Sequence, residues 1–138
     1  MVWQGSPALG LINLYDFSIK FSKIKPMNKQ IIFNKELVPL IKSGQKTTTW
    51  RLTDRQDLQK DDVVDLINRG NNMAVFAIAR LIDVKITTFN KLTASDKAGH
   101  EEFSSDEEMY QTYSGYYHIN VTPVTRLKVV KFKIERFL

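Results

Sequence analysis

The chain contains no cysteine, which removes disulfide staples, thiolate nucleophiles and thiolate metal ligands in one step. Histidine is nearly as scarce. His100 and His118 are the only two, and their separation matches no zinc-ligand spacing, so neither a metal nor another cofactor is expected. No apolar run approaches the roughly 18 residues that a membrane-spanning helix needs, and no membrane partner is expected. Internal repeats and low-complexity segments are also missing. What is left, 138 residues with 43% apolar content, is enough for one domain with one core. A cytoplasmic monomer is the expectation.

The net charge of +5 is unevenly spread. Residues 1–60 hold 10 Lys/Arg against 4 Asp/Glu, residues 61–113 hold 5 against 10, and residues 114–138 hold 5 against 1. Folding both ends onto one side would give a basic face beside an acidic flank. Such a face serves solubility, or it attracts a polyanion such as RNA.

Residues 1–26 differ from the rest. The segment has no basic n-region, its apolar run after Pro7 is broken by Asn13 and Asp16, and no periodic pattern appears. It reads as an N-terminal extension outside the fold, with the domain over 27–138. From Met27 the chain is continuous. Gln30–Phe33 is β-prone, and Asn34 is a plausible N-cap for a short helix carrying Leu37, Leu40 and Ile41 on one face. Pro39 fits that helix only if regular hydrogen bonding begins within a turn of it. Gly44 ends it in the left-handed conformation.

A strand follows through Thr47–Arg51, then a polar loop and a strand carrying Val63, Val64, Leu66 and Ile67. Arg69–Asn72 is a hairpin turn into a long strand over Met73–Thr87. The alternation of that strand shifts near Leu81–Ile82, as a bulge would cause. Two short helices are expected around Leu92–Ala98 and Ser105–Tyr113, the second opened by a Ser105–Glu108 capping box. A last strand covers Thr125–Phe137. The order predicts an α+β fold in which a curled mixed sheet forms a small barrel flanked by short helices.

The stretch Gly44-Gln-Lys46-Thr-Thr-Thr49-Trp-Arg51 places an ammonium, hydroxyls and a guanidinium at a helix–turn–strand junction. Its pattern, Gly44-x-Lys46-x-x-x-x-Arg51, resembles the signature of the ASCH domain, a small PUA-like barrel. The likeness extends through Asp62-Val63-Val64, Phe89-x-x-Leu92 and Val129-Val130-x-Phe132. It covers roughly Ile31–Ile134. The family usually has Gly-Asp where this chain has Asp61-Asp62, which leaves the geometry of that turn open.

The position three after the lysine is usually glutamate in the family, and here it is Thr49. A lysine with a threonine at that offset resembles the subgroup that hydrolyses N4-acetylcytidine. That resemblance implies a catalytic set of Lys46, Thr49 and Glu101. Glu101 is matched by its place two residues before Phe103. It also implies a nucleoside or RNA ligand, with Arg51 and Gly44 as substrate-binding residues.

Chemistry alone requires that a threonine nucleophile have a base nearby. Lysine serves as that base only when burial or a cation such as Arg51 lowers its pKa. Three residues apart on one strand, Lys46 and Thr49 would face opposite ways, so Lys46 must still lie in the turn.

Blander roles compete with each of these. Lys46 could contact phosphate in an RNA-binding module without catalysis, and Arg51 could pair with a carboxylate. Thr47 and Thr48 read as ordinary strand residues. Both histidines read as surface or core residues. Trp50, Tyr110, Tyr113, Tyr116 and Tyr117 could stack on a base, with one at most expected at a ligand. If residues 1–26 lie outside the fold, a chain beginning at Met27 melts as cooperatively as the full chain. A fall of several degrees in Tm would place the extension in the core.

Overall fold

The computed structural model describes residues 28–138, so the expected extension over 1–26 lies outside the described residues. β1 (Lys29–Phe33) buries Ile31 and Phe33 by simple alternation. A 3-10 turn over Lys35–Leu37 then leads into α1 (Val38–Lys42). Pro39 sits in the first turn of α1, where its missing N–H would have no partner anyway. Gly44 follows at φ +83°, in the region that costs a residue without a Cβ least. The amide of Lys46 reaches back to the Leu40 carbonyl at 3.0 Å, which closes the turn.

β2 (Thr48–Arg51), β3 (Val63–Asn68), β4 (Ala74–Thr88) and β5 (Arg126–Phe137) complete one mixed sheet in the order β1-β3-β4-β5-β2. β1 pairs β3 in parallel, and every other pair is antiparallel. The register between β4 and β5 slips between Ile78 and Ala79 and again between Leu81 and Asp83. The second slip coincides with the change of alternation read near Leu81–Ile82. Such bulges bend and twist a long strand, and here they let β4 and β5 curl round the core. The result is the expected α+β architecture, a half-barrel whose outermost strands are β1 and β2.

Two apolar clusters lie on opposite faces of β5. Val130 and Phe132 point inward, onto Ile31, Phe33, Val64, Leu66 and Leu81. Leu127 and Val129 point outward, and there they meet Trp50, Phe89, Met109, Tyr113 and Val121. α3 (Asp106–Tyr117) supplies Met109 and Tyr113 to that outer cluster. The N-terminal half of β5 therefore buries apolar side chains on both faces, whereas Lys133 and Glu135 further along are exposed. α3 runs four residues beyond the expected Tyr113 and ends at His118, which adopts the left-handed cap at φ 57°.

Its start corrects the capping-box expectation. Ser105 does accept from the Glu108 amide, but the Glu108 carboxylate binds the amide and hydroxyl of Ser104. The complete box belongs instead to Thr93 and Asp96 at α2 (Ala94–Lys97).

Asp61 stands at φ +74° with its amide bonded to the Leu81 carbonyl at 2.8 Å. The Asp-Asp turn thus takes a backbone conformation that favours glycine, at an aspartate's cost. Replacing an L-residue there removes roughly 1–2 kcal/mol of strain, and the extra freedom of unfolded glycine takes back part of it. Asp61→Gly is expected to stabilise the domain by about 0.5–1 kcal/mol, read as a higher denaturation midpoint at unchanged slope.

Candidate functional site

β1 and β2 are the two edges of the sheet, and the gap between them is where the chemistry collects. The backbone leaves this seam unpaired. A side chain spans it instead: Arg51 on β2 donates from Nη2 to the Ile32 carbonyl on β1 at 3.2 Å. Its guanidinium also lies 5.8 Å from the centre of the Phe33 ring, within cation–π range. Beside this strut is a cavity of about 260 Å³. β1 and the turn after it contribute Ile32, Phe33, Asn34 and Leu37, β2 contributes Thr49, Trp50 and Arg51, and α3 contributes Tyr113, Tyr116 and Tyr117. Lys46, Thr53, Arg69 and Glu101 complete the wall.

Lys46 precedes β2, so it lies in the turn, as the offset of three to Thr49 requires. Its residue surface is only 3% exposed. Nζ donates to the Thr48 carbonyl at 2.8 Å and forms an ion pair with the Glu101 carboxylate. An ammonium has three donors, so one position on this nitrogen is not used by either bond. Burial lowers the Lys46 pKa; the Glu101 carboxylate opposes this, the Arg51 charge adds to it, and the net direction is down. Thr49 is 4% exposed and borders the same cavity. Arg51, two residues on, shares that face.

Lys46, Thr49, Glu101 and Arg51 are therefore brought together around one cavity. Gly44 is not among its lining residues and contributes the turn that aims Lys46.

Glu101 comes from a loop 55 residues further along, and a glycine holds that loop in place. The Gly99 carbonyl accepts from the amides of both Thr47 and Thr48, at 2.9 and 3.0 Å. Gly99 has φ +76°, and a Cβ there would run into the Thr47 side chain. Thr48 is the first residue of β2, as its strand reading expects, and its side chain reinforces the contact, whereas Thr47 lies just before the strand. Fully buried, Thr48 donates to the Ala98 carbonyl at 2.7 Å and accepts from Lys131 at 3.2 Å. Thr47 is exposed.

The residue between Gly99 and Glu101 was not expected at a site. His100 stacks on Trp50 with ring centres 3.7 Å apart, and it touches both Glu101 and Tyr113. Its position next to Glu101 was the one sequence signal for this role. Tyr113, Tyr116 and Tyr117 all border the cavity. Asn34 and Arg69 join from regions read only as cap and turn.

A second cavity, of about 570 Å³, lies on the other side of Trp50 and Glu101, between α2 and the start of α3. It includes none of Lys46, Thr49 and Arg51. Among the described residues no group of His, Asp and Glu is placed to hold a metal ion, and no helix is long and apolar enough to cross a membrane.

No family model matches the chain, and comparison with curated proteins finds no sequence relative. Solved structures do match. Protein EF3133 from Enterococcus faecalis V583 superposes with a TM-score of 0.66 at 18% identity, over 92% of each chain. An ASCH domain from Lactobacillus crispatus JV V101 gives 0.57 at 13% identity, over 88% of this chain and 92% of that one. An ASCH protein from Zymomonas mobilis gives 0.57 at 15% identity, over 78% of this chain and 68% of that one. At these identities the likeness is one of fold.

Two glycines test how the Glu101 loop is held. Gly99→Ala is expected to destabilise the protein by roughly 1–3 kcal/mol, from the left-handed backbone and the collision with Thr47. Gly115→Ala, in α3 with open space around it, is expected to stabilise by up to about 1 kcal/mol through helix propensity. Urea titrations that gave both changes the same sign would remove the special role of Gly99.

Proposed function

We propose that this chain, which has the α+β, PUA-like fold of ASCH-domain proteins, is an amidohydrolase that removes the acetyl group from an N4-acetylated cytosine nucleoside. The observation that carries the reading is the buried Lys46 amine, paired with Glu101 and sharing one cavity with the Thr49 hydroxyl. The volume of about 260 Å³ lies at the small end of ligand pockets and suits one nucleoside better than a larger ligand.

The steps follow from the groups present. Lys46 in its neutral form takes the Thr49 hydroxyl proton as Oγ1 attacks the acetyl carbonyl carbon. The tetrahedral intermediate collapses, the carbon–nitrogen bond breaks, and the leaving nitrogen takes a proton from the Lys46 ammonium. Water, deprotonated by Lys46, then cleaves the acetyl-threonine ester, and the Lys46 ammonium returns that proton to Thr49 Oγ1, so that the products are cytidine and acetate. Glu101 orients the lysine and stabilises its charged form between these transfers. Burial lowers the lysine's pKa and so makes it a better base near neutral pH.

A second reading, an RNA-binding module without catalysis, has its own observation. Lys46, Arg51 and Arg69 face one carboxylate, Glu101, around the cavity, and the half-exposed Tyr116 stands at its edge.

Incubation with N4-acetylcytidine, followed by chromatography for cytidine, separates the two. Thr49→Ala and Lys46→Ala are each expected to lower kcat by about 10³-fold or more. Combining them should add little, since they act as one unit. Glu102→Gln, an exposed neighbour, should leave the rate unchanged.

The pH dependence has a definite sign. A base must be unprotonated, so kcat/KM rises with pH through the Lys46 pKa, with a midpoint below the ordinary lysine value of 10.5. Glu101→Gln removes the charge that favours the ammonium, so it lowers the plateau and moves the midpoint to lower pH. Near-wild-type cleavage by Thr49→Ala would refute the nucleophile. Wild-type protein that releases no cytidine yet binds RNA with a steep salt dependence would favour the second reading.

A further inference from the structure

Behind the cavity, His100 decides which way a neighbouring hydroxyl points. The side chain is 1% exposed and its ring lies flat on Trp50, the two planes 12° apart. Both nitrogens have partners: Nδ1 is 3.0 Å from the backbone oxygen of Glu101, and Nε2 is 2.8 Å from the Tyr113 hydroxyl. A carbonyl oxygen can only accept, so Nδ1 carries the proton. Burial, then the nearby Lys46 charge, pushes the imidazole pKa down to about 4. At neutral pH the ring therefore has a single N–H, Nε2 is bare, and the Tyr113 hydroxyl donates to it.

Tyr113 is 4% exposed, and burial, with the Glu101 charge adding, raises its pKa well above the ordinary phenol value. Its one proton is thus committed to His100. The lone pairs remain on an oxygen whose side chain lines the cavity with Lys46, Thr49 and Glu101. Among the described residues nothing donates a hydrogen bond to that oxygen.

We propose that Tyr113 is the specificity-determining residue of this cavity, a fixed hydrogen-bond acceptor that selects substrates carrying an N–H on the bond to be cleaved. The proposal rests on the amidohydrolase reading and narrows it to secondary amides. The acetamido group of N4-acetylcytidine has such an N–H. A tertiary amide, methylated on the same nitrogen, does not. A ligand without the donor leaves a buried acceptor unpaired, which is how polar sites reject near-isosteres. Holding the N–H against Tyr113 also fixes the plane of the amide before attack.

The test compares kcat/KM for N4-acetylcytidine and its N4-methyl derivative. Wild type is expected to prefer the N–H compound by about 100-fold or more. In Tyr113→Phe the N–H compound should slow, because its N–H loses its partner, while the methylated one should speed up as the unpaired acceptor is removed, so the ratio falls towards whatever the bulk of the methyl group imposes.

His100→Phe is the second variant. It keeps an aromatic ring on Trp50 but frees the Tyr113 proton to turn towards the cavity, and the same ratio should relax. A merely structural role would lower both rates together and leave the ratio at the wild-type value, which would overturn the proposal. A wild-type enzyme indifferent to the methyl group would overturn it whether or not the variants fold. Failure of the underlying reading looks different: wild type would neither cleave nor bind either compound, and both proposals would fall together.

Discussion

A lysine ammonium is costly to remove from water unless something takes over its hydration, and much of this domain is arranged round doing so for Lys46. The Thr48 carbonyl supplies one acceptor from the adjacent strand, and Glu101 supplies an anion from a loop 55 residues away. Glu101 keeps about a quarter of its side-chain surface in solvent while Lys46 is almost wholly enclosed. The carboxylate therefore retains part of its own hydration, and the desolvation falls mainly on the lysine. With that asymmetry, burial outweighs the carboxylate and the lysine's pKa is lowered.

The pair also depends on how the sheet ends. A fully laddered barrel would leave no room between β1 and β2. Here the strand order leaves both as edges, and the Arg51 side chain crosses the gap to the Ile32 carbonyl without filling it. The outer aromatic cluster closes the site from the far side, with Trp50 fixed by His100 on its face, Phe89 edge-on and Asp96 accepting its indole N–H. The Asp96 carboxylate in turn caps α2 and takes Lys85. Packing and polar satisfaction thus share residues, and the loop from Gly99 to Glu101 has few ways to move without breaking both.

Charge looked more available in the sequence than it is in the fold. Two lysines of β5 are engaged within the protein: Lys128 with Asp54 and the Leu58 carbonyl, and Lys131 with the Ser95 carbonyl and Thr48. Lys29 pairs with Asp62. The basic balance of the C-terminal segment is therefore partly internal. The positive charges that line the cavity belong to Lys46, Arg51 and Arg69.

The sequence by itself determined the order of elements and most of their limits, because periodicity, Gly44, Pro39 and the turn at 69–72 act over a few residues and leave local marks. It also determined that Lys46 had to sit in a turn to reach the side of Thr49, since strand geometry allows nothing else. The family resemblance grouped Lys46 with Glu101, but their ion pair, the buried duty of Thr48 and the cavity positions of Asn34, Arg69, Tyr113 and Tyr117 were decided only by tertiary structure. So was the role of His100, whose hydrogen bonds to Glu101 and Tyr113 exist because the Gly99 carbonyl holds that loop against the start of β2. Contacts between residues tens of positions apart leave no periodic trace in a single chain. Their geometry appears only when the sheet curls and brings its edges and loops to one seam.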